Sequence, residues 1–236
     1  MAVTVEVCVD TAAGLAAAVQ GGADRIELCS ALPLGGLTPS AGFMAQAARC
    51  GVPVLAMIRP RAGDFVWSGP EVAQMEADIA TARTAGLAGV VLGASLPDGR
   101  LDAATLSHLL RVAQGMDCTL HRCFDLVPDP AAALEQAVTL GFSRVLTSGG
   151  ALRAEDALPA LAALIAQAGN RIAILPGSGI TATNAAHFTA IGARELHASC
   201  SMAVPAPGPA AAMGFGPATE RRTDAALVRA LRQAVH

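Results

Sequence analysis

The chain has 236 residues, of which 53% are hydrophobic and only 3% aromatic, and a net charge of -3, so it has the material for one large buried core. All sixteen positive side chains are arginine. That excludes Schiff-base and pyridoxal phosphate chemistry for want of a lysine amine, and the arginines form no basic stripe for a nucleic-acid backbone.

No apolar run approaches the length of a membrane span, and the N-terminus reads directly into a strand with no leader pattern. A cytoplasmic protein that binds neither membrane nor nucleic acid is expected. Read in order, Val/Ile/Leu-rich runs alternate with Ala-rich helical stretches. Strands are predicted near 3–9, 25–29, 53–59, 88–94, 117–123, 143–148, 171–176 and 194–199.

Their spacing of roughly 30 residues is that of a βα unit. Thr11 caps the first helix and Gly21 and Gly22 close it, Ser68 to Glu71 has capping-box spacing, and Asp102 opens the fourth helix. Three helix-to-strand turns resemble one another: Gly-Ala-Asp-Arg (22–25), Gly-Phe-Ser-Arg (141–144) and Gly-Ala-Arg-Glu (192–195).

Eight such units without a linker make an α/β (β/α)8 TIM barrel the expected fold, as a single domain over 1–236. Residues 201–220 are expected as a long Ala/Pro-rich loop before the last helix, with the character of a flap. A doubly wound sheet would carry a Gly-rich loop after the first strand. Asp10-Thr11-Ala12-Ala13-Gly14 is not one, and no nicotinamide or flavin motif is present.

Active sites of such barrels lie where strands run out into βα loops. Strand alternation turns Glu6, Cys8, Glu27, Cys29, Met57, Arg59, His121, Cys123, Thr147 and His197 inward, with Asp125 just beyond. A purely structural barrel fills these layers with Val, Ile and Leu, so the polar set points to a functional pocket. Glu6, Glu27, Arg59, His121, Asp125 and His197 are its candidate catalytic residues, and Arg59 is expected to neutralise Glu6 or Glu27.

His121 and His197, from the fifth and eighth strands, suit two groups flanking a substrate better than one metal site. The turns Thr147-Ser148-Gly149-Gly150 and Pro176-Gly177-Ser178-Gly179 suggest amides converging on a phosphate or carboxylate, with Ser148, Gly149, Gly177 and Gly179 as the anion-binding candidates. Cys8 and Cys29 lie on neighbouring strands, and two thiolates suit Cu(I). On spacing alone, two ordinary buried cysteines are the better account. No C-x-x-C pair supports a zinc knuckle.

Val-Glu-Val-Cys-Val-Asp (5–10), Gly-Gly-Ala-Asp-Arg-Ile-Glu-Leu-Cys (21–29), Gly-Gly-Leu-Thr-Pro-Ser (35–40), Met-Ile-Arg-Pro-Arg-Ala-Gly-Asp-Phe (57–65), His-Arg-Cys-Phe-Asp (121–125), Arg-Val-Leu-Thr-Ser-Gly (144–149) and Leu-Pro-Gly-Ser-Gly-Ile (175–180) closely resemble the CutC copper homeostasis family. The match runs from about residue 4 to 200. The resemblance implies a TIM barrel, a cytoplasmic location, a homo-oligomer and a copper role. In it the Cu(I) thiols of the first two motifs correspond to Cys8 and Cys29.

The chain departs from the family pattern at Cys123, where Ala is common, at Ser178, where Gly is common, and in its tail. The rival expectation is a TIM-barrel enzyme of isomerase, epimerase or lyase type on a small phosphorylated or carboxylated metabolite. There Glu27 or His121 would be the base and Arg59 the clamp.

Overall fold

The structure, a computed structural model, describes residues 3–236. Eight parallel strands form one sheet: β1 (Thr4–Val9), β2 (Arg25–Leu28), β3 (Val54–Met57), β4 (Gly89–Leu92), β5 (Asp117–Leu120), β6 (Arg144–Thr147), β7 (Ala173–Pro176) and β8 (Glu195–Ala198). From β1 to β7 each strand pairs with the next, β1 also pairs with β8, and β7 lies against β8 to close the ring. The fold is the (β/α)8 barrel expected, and every strand falls inside its predicted run.

Seven helices fill the crossovers: α1 (Ala12–Gly21), α2 (Ala41–Ala47), α3 (Gly69–Ala85), α4 (Ala103–Val112), α5 (Pro130–Leu140), α6 (Leu158–Ala168) and α7 (Ala185–Ala190). Their boundaries have local causes. Thr11 accepts the Gly14 N–H, Glu71 accepts the Ser68 N–H at 2.7 Å, and Asp102 accepts the Thr105 N–H. Gly22 ends α1 with φ 89°, a conformation in which a Cβ would be strained.

The tail differs from the expected loop. Strands β9 (Ser201–Pro205) and β10 (Thr219–Thr223) form an antiparallel ribbon, with a short helix α8 (Pro209–Ala212) in their connection. Helix α9 (Ala225–Val235) then packs on α1, burying Val228 and Leu231. The Ala/Pro-rich composition obscured the strands because their pairing is made between segments some 15 residues apart, and no local signal marks it.

Alternation divides the barrel wall into two layers. Val5, Val7, Val9, Ile26 and Leu28 face the helices in the main core. The opposite face of β1, β2, β5, β6 and β8 is filled by ions. Asp117 pairs with Arg144 at 2.8 Å, Arg144 with Glu195 at 3.1 Å, Glu195 with Arg25, Arg25 with Glu6, and Glu6 with His197 at 2.8 Å.

Two guanidinium groups therefore face three carboxylates, and His197 supplies the third positive charge. The expectation that Arg59 neutralises Glu6 or Glu27 is overturned. Glu6 and Arg25 are register partners on adjacent strands, whereas Arg59 lies beyond the end of β3 and bonds loop carbonyls instead. Removing one member of a buried ionic set leaves its partners uncompensated. Arg25→Met is expected to lower unfolding free energy by about 3–5 kcal/mol, read from urea denaturation at neutral pH.

Candidate functional site

At the C-terminal ends of the strands the barrel opens into a cavity of about 440 Å³, the range of small-molecule sites. Two groups of side chains line it, one at the ends of β1, β2 and β8 and one beyond β3 and β5. The ribbon overhangs it through Arg221 and Ser201, so the tail contributes to the site.

Cys8, Glu27 and His197 form the first group: their ligand atoms lie within 4.8 Å of one another, and all three residues are buried. The register explains their meeting. Cys8 is the direct partner of Glu27, and Glu6, two residues before Cys8, is the partner of His197. Strand stagger thus places Cys8 beside Glu27, while Cys29 lies one step further along. The Cys29 thiol donates to Glu27 Oε2 at 3.5 Å and packs among Leu55, Met57 and Val91.

Burial pushes the Glu6 carboxyl up, but Arg25 and His197 outweigh it and hold it at about 2. Glu6 is therefore an ionised acceptor, and the contact at 2.8 Å is a hydrogen bond from His197 Nδ1–H. His197 Nε2 is left 3.8 Å from Glu27 Oε2. Burial lowers the His197 pKa, yet Glu27 and Cys8 carry it well above the usual range. Burial, joined by the Glu6 charge, raises Glu27 despite the opposing pull of His197, and Glu27 Oε1 has no partner. Burial and the Glu27 carboxylate push the Cys29 thiol up, so it stays protonated.

Arg59, Phe65 and His121 make the second group. The Arg59 guanidinium lies 5.0 Å from the centre of the Phe65 ring, whose centroid is 4.7 Å from that of His121. Arg59 Nη1 donates to the carbonyls of Leu34 and Gly36 at 2.8 and 3.1 Å, Nη2 donates to that of Gly63 at 3.1 Å, and Nε has no partner. His121 Nδ1 accepts the Cys123 N–H at 3.2 Å, which puts the proton of the neutral ring on Nε2. Burial, with Arg59 adding, lowers the His121 pKa to about 3. Gly93 makes room for this ring, since a Cβ there would overlap it and the Cys123 sulfur.

The remaining candidates are placed differently from the expectation. Asp125 is not free for acid-base work: it accepts from Arg122 Nε, Thr147 Oγ1, the amides of Ser148 and Gly150, and the Ser148 hydroxyl. The anion expected at the β6 turn is thus the protein's own carboxylate. Gly149 N–H donates to Thr147 Oγ1 and Gly177 N–H to the Thr147 carbonyl, so neither amide is available to a phosphate. Gly179 does line the cavity, against the Arg153 guanidinium. Thr147 turns away and Leu146 faces the cavity in its place, because the inward phase of β6 begins at Arg144.

Sequence reasoning missed Arg25, Arg144 and Glu195, and at the mouth Arg122 and Arg153. The first three end the three similar helix-to-strand turns, and that recurrence was the available signal. Arg122 stands inside the His-Arg-Cys-Phe-Asp motif, and nothing local marks Arg153.

Fold and geometry define a single-domain TIM barrel carrying a thiol, carboxylate and imidazole cluster in its C-terminal mouth. The chain belongs to the CutC family, whose model matches residues 3–202. A CutC family protein of Rhizobium meliloti is 58% identical over 232 residues, covering 98% of this chain and 95% of the relative. A solved Streptococcus agalactiae chain, described as a copper homeostasis protein CutC, superposes with a TM-score of 0.80 at 32% identity, over 84% of this chain and 98% of that one. A 3-hexulose-6-phosphate synthase, at 17% identity and a TM-score of 0.63 over 99% of this chain and all of its own, shares the fold alone.

Glu6 ties stability to pH. Its carboxyl sits at about 2 against 4.5 unperturbed, so its contribution is complete above pH 4.5 and is lost as pH falls through 2. His197 is protonated in both folded and unfolded chains over that range and adds no slope. Urea midpoints measured from pH 6 to 2 are expected to fall mainly below about 4.5, and Glu6→Gln is expected to flatten that fall while lowering the plateau.

Proposed function

We propose that the protein is a cytoplasmic copper homeostasis barrel that holds Cu(I) through Cys8 Sγ and His197 Nε2, with Glu27 beside them. One observation carries this reading: Cys8, Glu27 and His197 present ligand atoms within 4.8 Å of one another. Thiolate and imidazole are ligands that Cu(I) accepts. Glu6 supports it from behind, because a carboxylate on the far ring nitrogen is the usual device that orients a metal-binding histidine. The Streptococcus agalactiae relative, described as a copper homeostasis protein, supports copper over other soft ions.

The ligand set differs from the two thiols implied by family resemblance. Cys29, protonated and packed against Met57 and Leu55, stands outside the primary set and serves as a neighbouring sulfur. Self-association belongs to the same reading: Met213 and Phe215, 71% and 82% exposed in the connection between β9 and β10, offer apolar surface that a second copy would cover. No helix of the described residues is long and apolar enough to cross a membrane.

Anaerobic titration against a strong Cu(I) chelator tests the assignment. One Cu(I) per chain is expected, weakened by roughly tenfold or more in Cys8→Ser and far less in Cys29→Ser. Affinity unchanged in the Cys8→Ser, His197→Gln double variant would overturn it.

A further inference from the structure

The second group of cavity residues is unexplained by copper, and its hydrogen-bond accounting has one sign. Arg59 is only 6% exposed, yet it forms no ion pair with any carboxylate among the described residues, and its three bonded partners are neutral carbonyls. Its Nε–H is buried with no acceptor. His121, 3% exposed, carries a proton on Nε2 because Nδ1 already accepts from Cys123, and that Nε2–H is also buried without an acceptor. The Arg153 guanidinium has no ion-pair or hydrogen-bond partner among the described residues and lies against Gly179 on the cavity wall.

All three groups line the same cavity, and each offers a donor that nothing among the described residues accepts. A buried guanidinium without a counter-ion and an orphaned imidazole N–H are each costly, and one acceptor bearing negative charge would relieve both. The Phe65 ring packs against both Arg59 and His121, which helps to arrange the two before a ligand arrives.

We propose that the cavity binds a small organic anion whose phosphate or carboxylate group is held by Arg59, Arg153 and His121 Nε2–H. The rest of the molecule lies toward the Cys8–Glu27–His197 floor. A volume of about 440 Å³ admits a ligand of metabolite size and excludes a nucleic-acid strand or a folded partner. The site differs from the glycine-turn cradle that the sequence suggests, whose Ser148 and Gly150 amides are spent on Asp125. It is independent of copper, since none of its three donors belongs to the Cys8 cluster.

Isothermal calorimetry on metal-free protein, and on Cys8→Ser so that no metal reading enters, would use inorganic phosphate, phosphoglycolate and malonate at matched ionic strength. At least one is expected to bind saturably at one per chain. That binding should weaken roughly tenfold or more in Arg153→Gln and in His121→Phe, which keeps an aromatic ring beside Phe65 but removes the donor. Phosphoglycolate binding tighter than malonate assigns a phosphate ester, and the reverse assigns a carboxylate. Heats no larger than those of sodium chloride for all three probes overturn the proposal, as does saturable binding unchanged in Arg153→Gln. Arg153 is exposed and its guanidinium has no partner among the described residues, so its replacement leaves the fold intact and that arm decisive.

Discussion

The hydrogen-bonded pair Glu6–Arg25 is the joint on which the interior of this barrel depends. One oxygen of Glu6 meets Arg25, which also holds Glu195, and the other meets His197. Through Glu195 the set continues to Arg144 and Asp117 at the far end of the barrel. Charges in a low-dielectric interior are tolerable only when they alternate, and here three carboxylates meet two arginines and one imidazolium. Glu27 lies outside this set: burial and the Glu6 charge raise its pKa against the pull of His197, and its Oε1 stays unpartnered. The cluster at the mouth is thus the open end of a balanced ionic core.

The cavity above that end joins two chemistries. Its floor offers sulfur, imidazole and a carboxylate held close together, which suits a metal ion. Its wall, beyond β3 and β5, offers only donors. The two are kept apart by packing: Arg59 is tied to the carbonyls of Leu34, Gly36 and Gly63 and stacked on Phe65, so it does not collapse onto Glu27. Had Arg59 paired with Glu27, the floor would have lost its free carboxylate and the wall its uncompensated charge.

The departures from the CutC pattern acquire physical readings. Cys123 is fully buried among core residues and burial pushes its thiol up to about 12, so it fills space as an apolar side chain and brings no third sulfur to the metal cluster. Ser178 adopts φ 82°, a left-handed conformation for which glycine is the usual residue, and its hydroxyl donates at 2.7 Å to the carbonyl of Leu152, in the loop after β6, a bond that offsets the strain. The Ala/Pro-rich tail makes a ribbon that brings Arg221 over the cavity.

Much of the barrel was legible because it is written in local chemistry. Alternation in Val-Glu-Val-Cys-Val shows which side chains face inward, Thr11, Glu71 and Asp102 mark helix starts, and the repeated βα period implies the closed sheet. The sequence by itself determined the order of the elements, the two faces of each strand and the set of polar groups sent to the interior. Only the tertiary structure decided who meets whom. It gave Glu6 to Arg25 rather than Arg59, set Cys8 beside Glu27 and His197, and gave the Ser148 amide to Asp125 rather than to a bound anion. The reason is the stagger of a closed barrel: each strand is offset along its neighbour, and the offset accumulates around the ring. Local sequence sets the face a residue points to, while its height in the barrel follows from closure of all eight strands together.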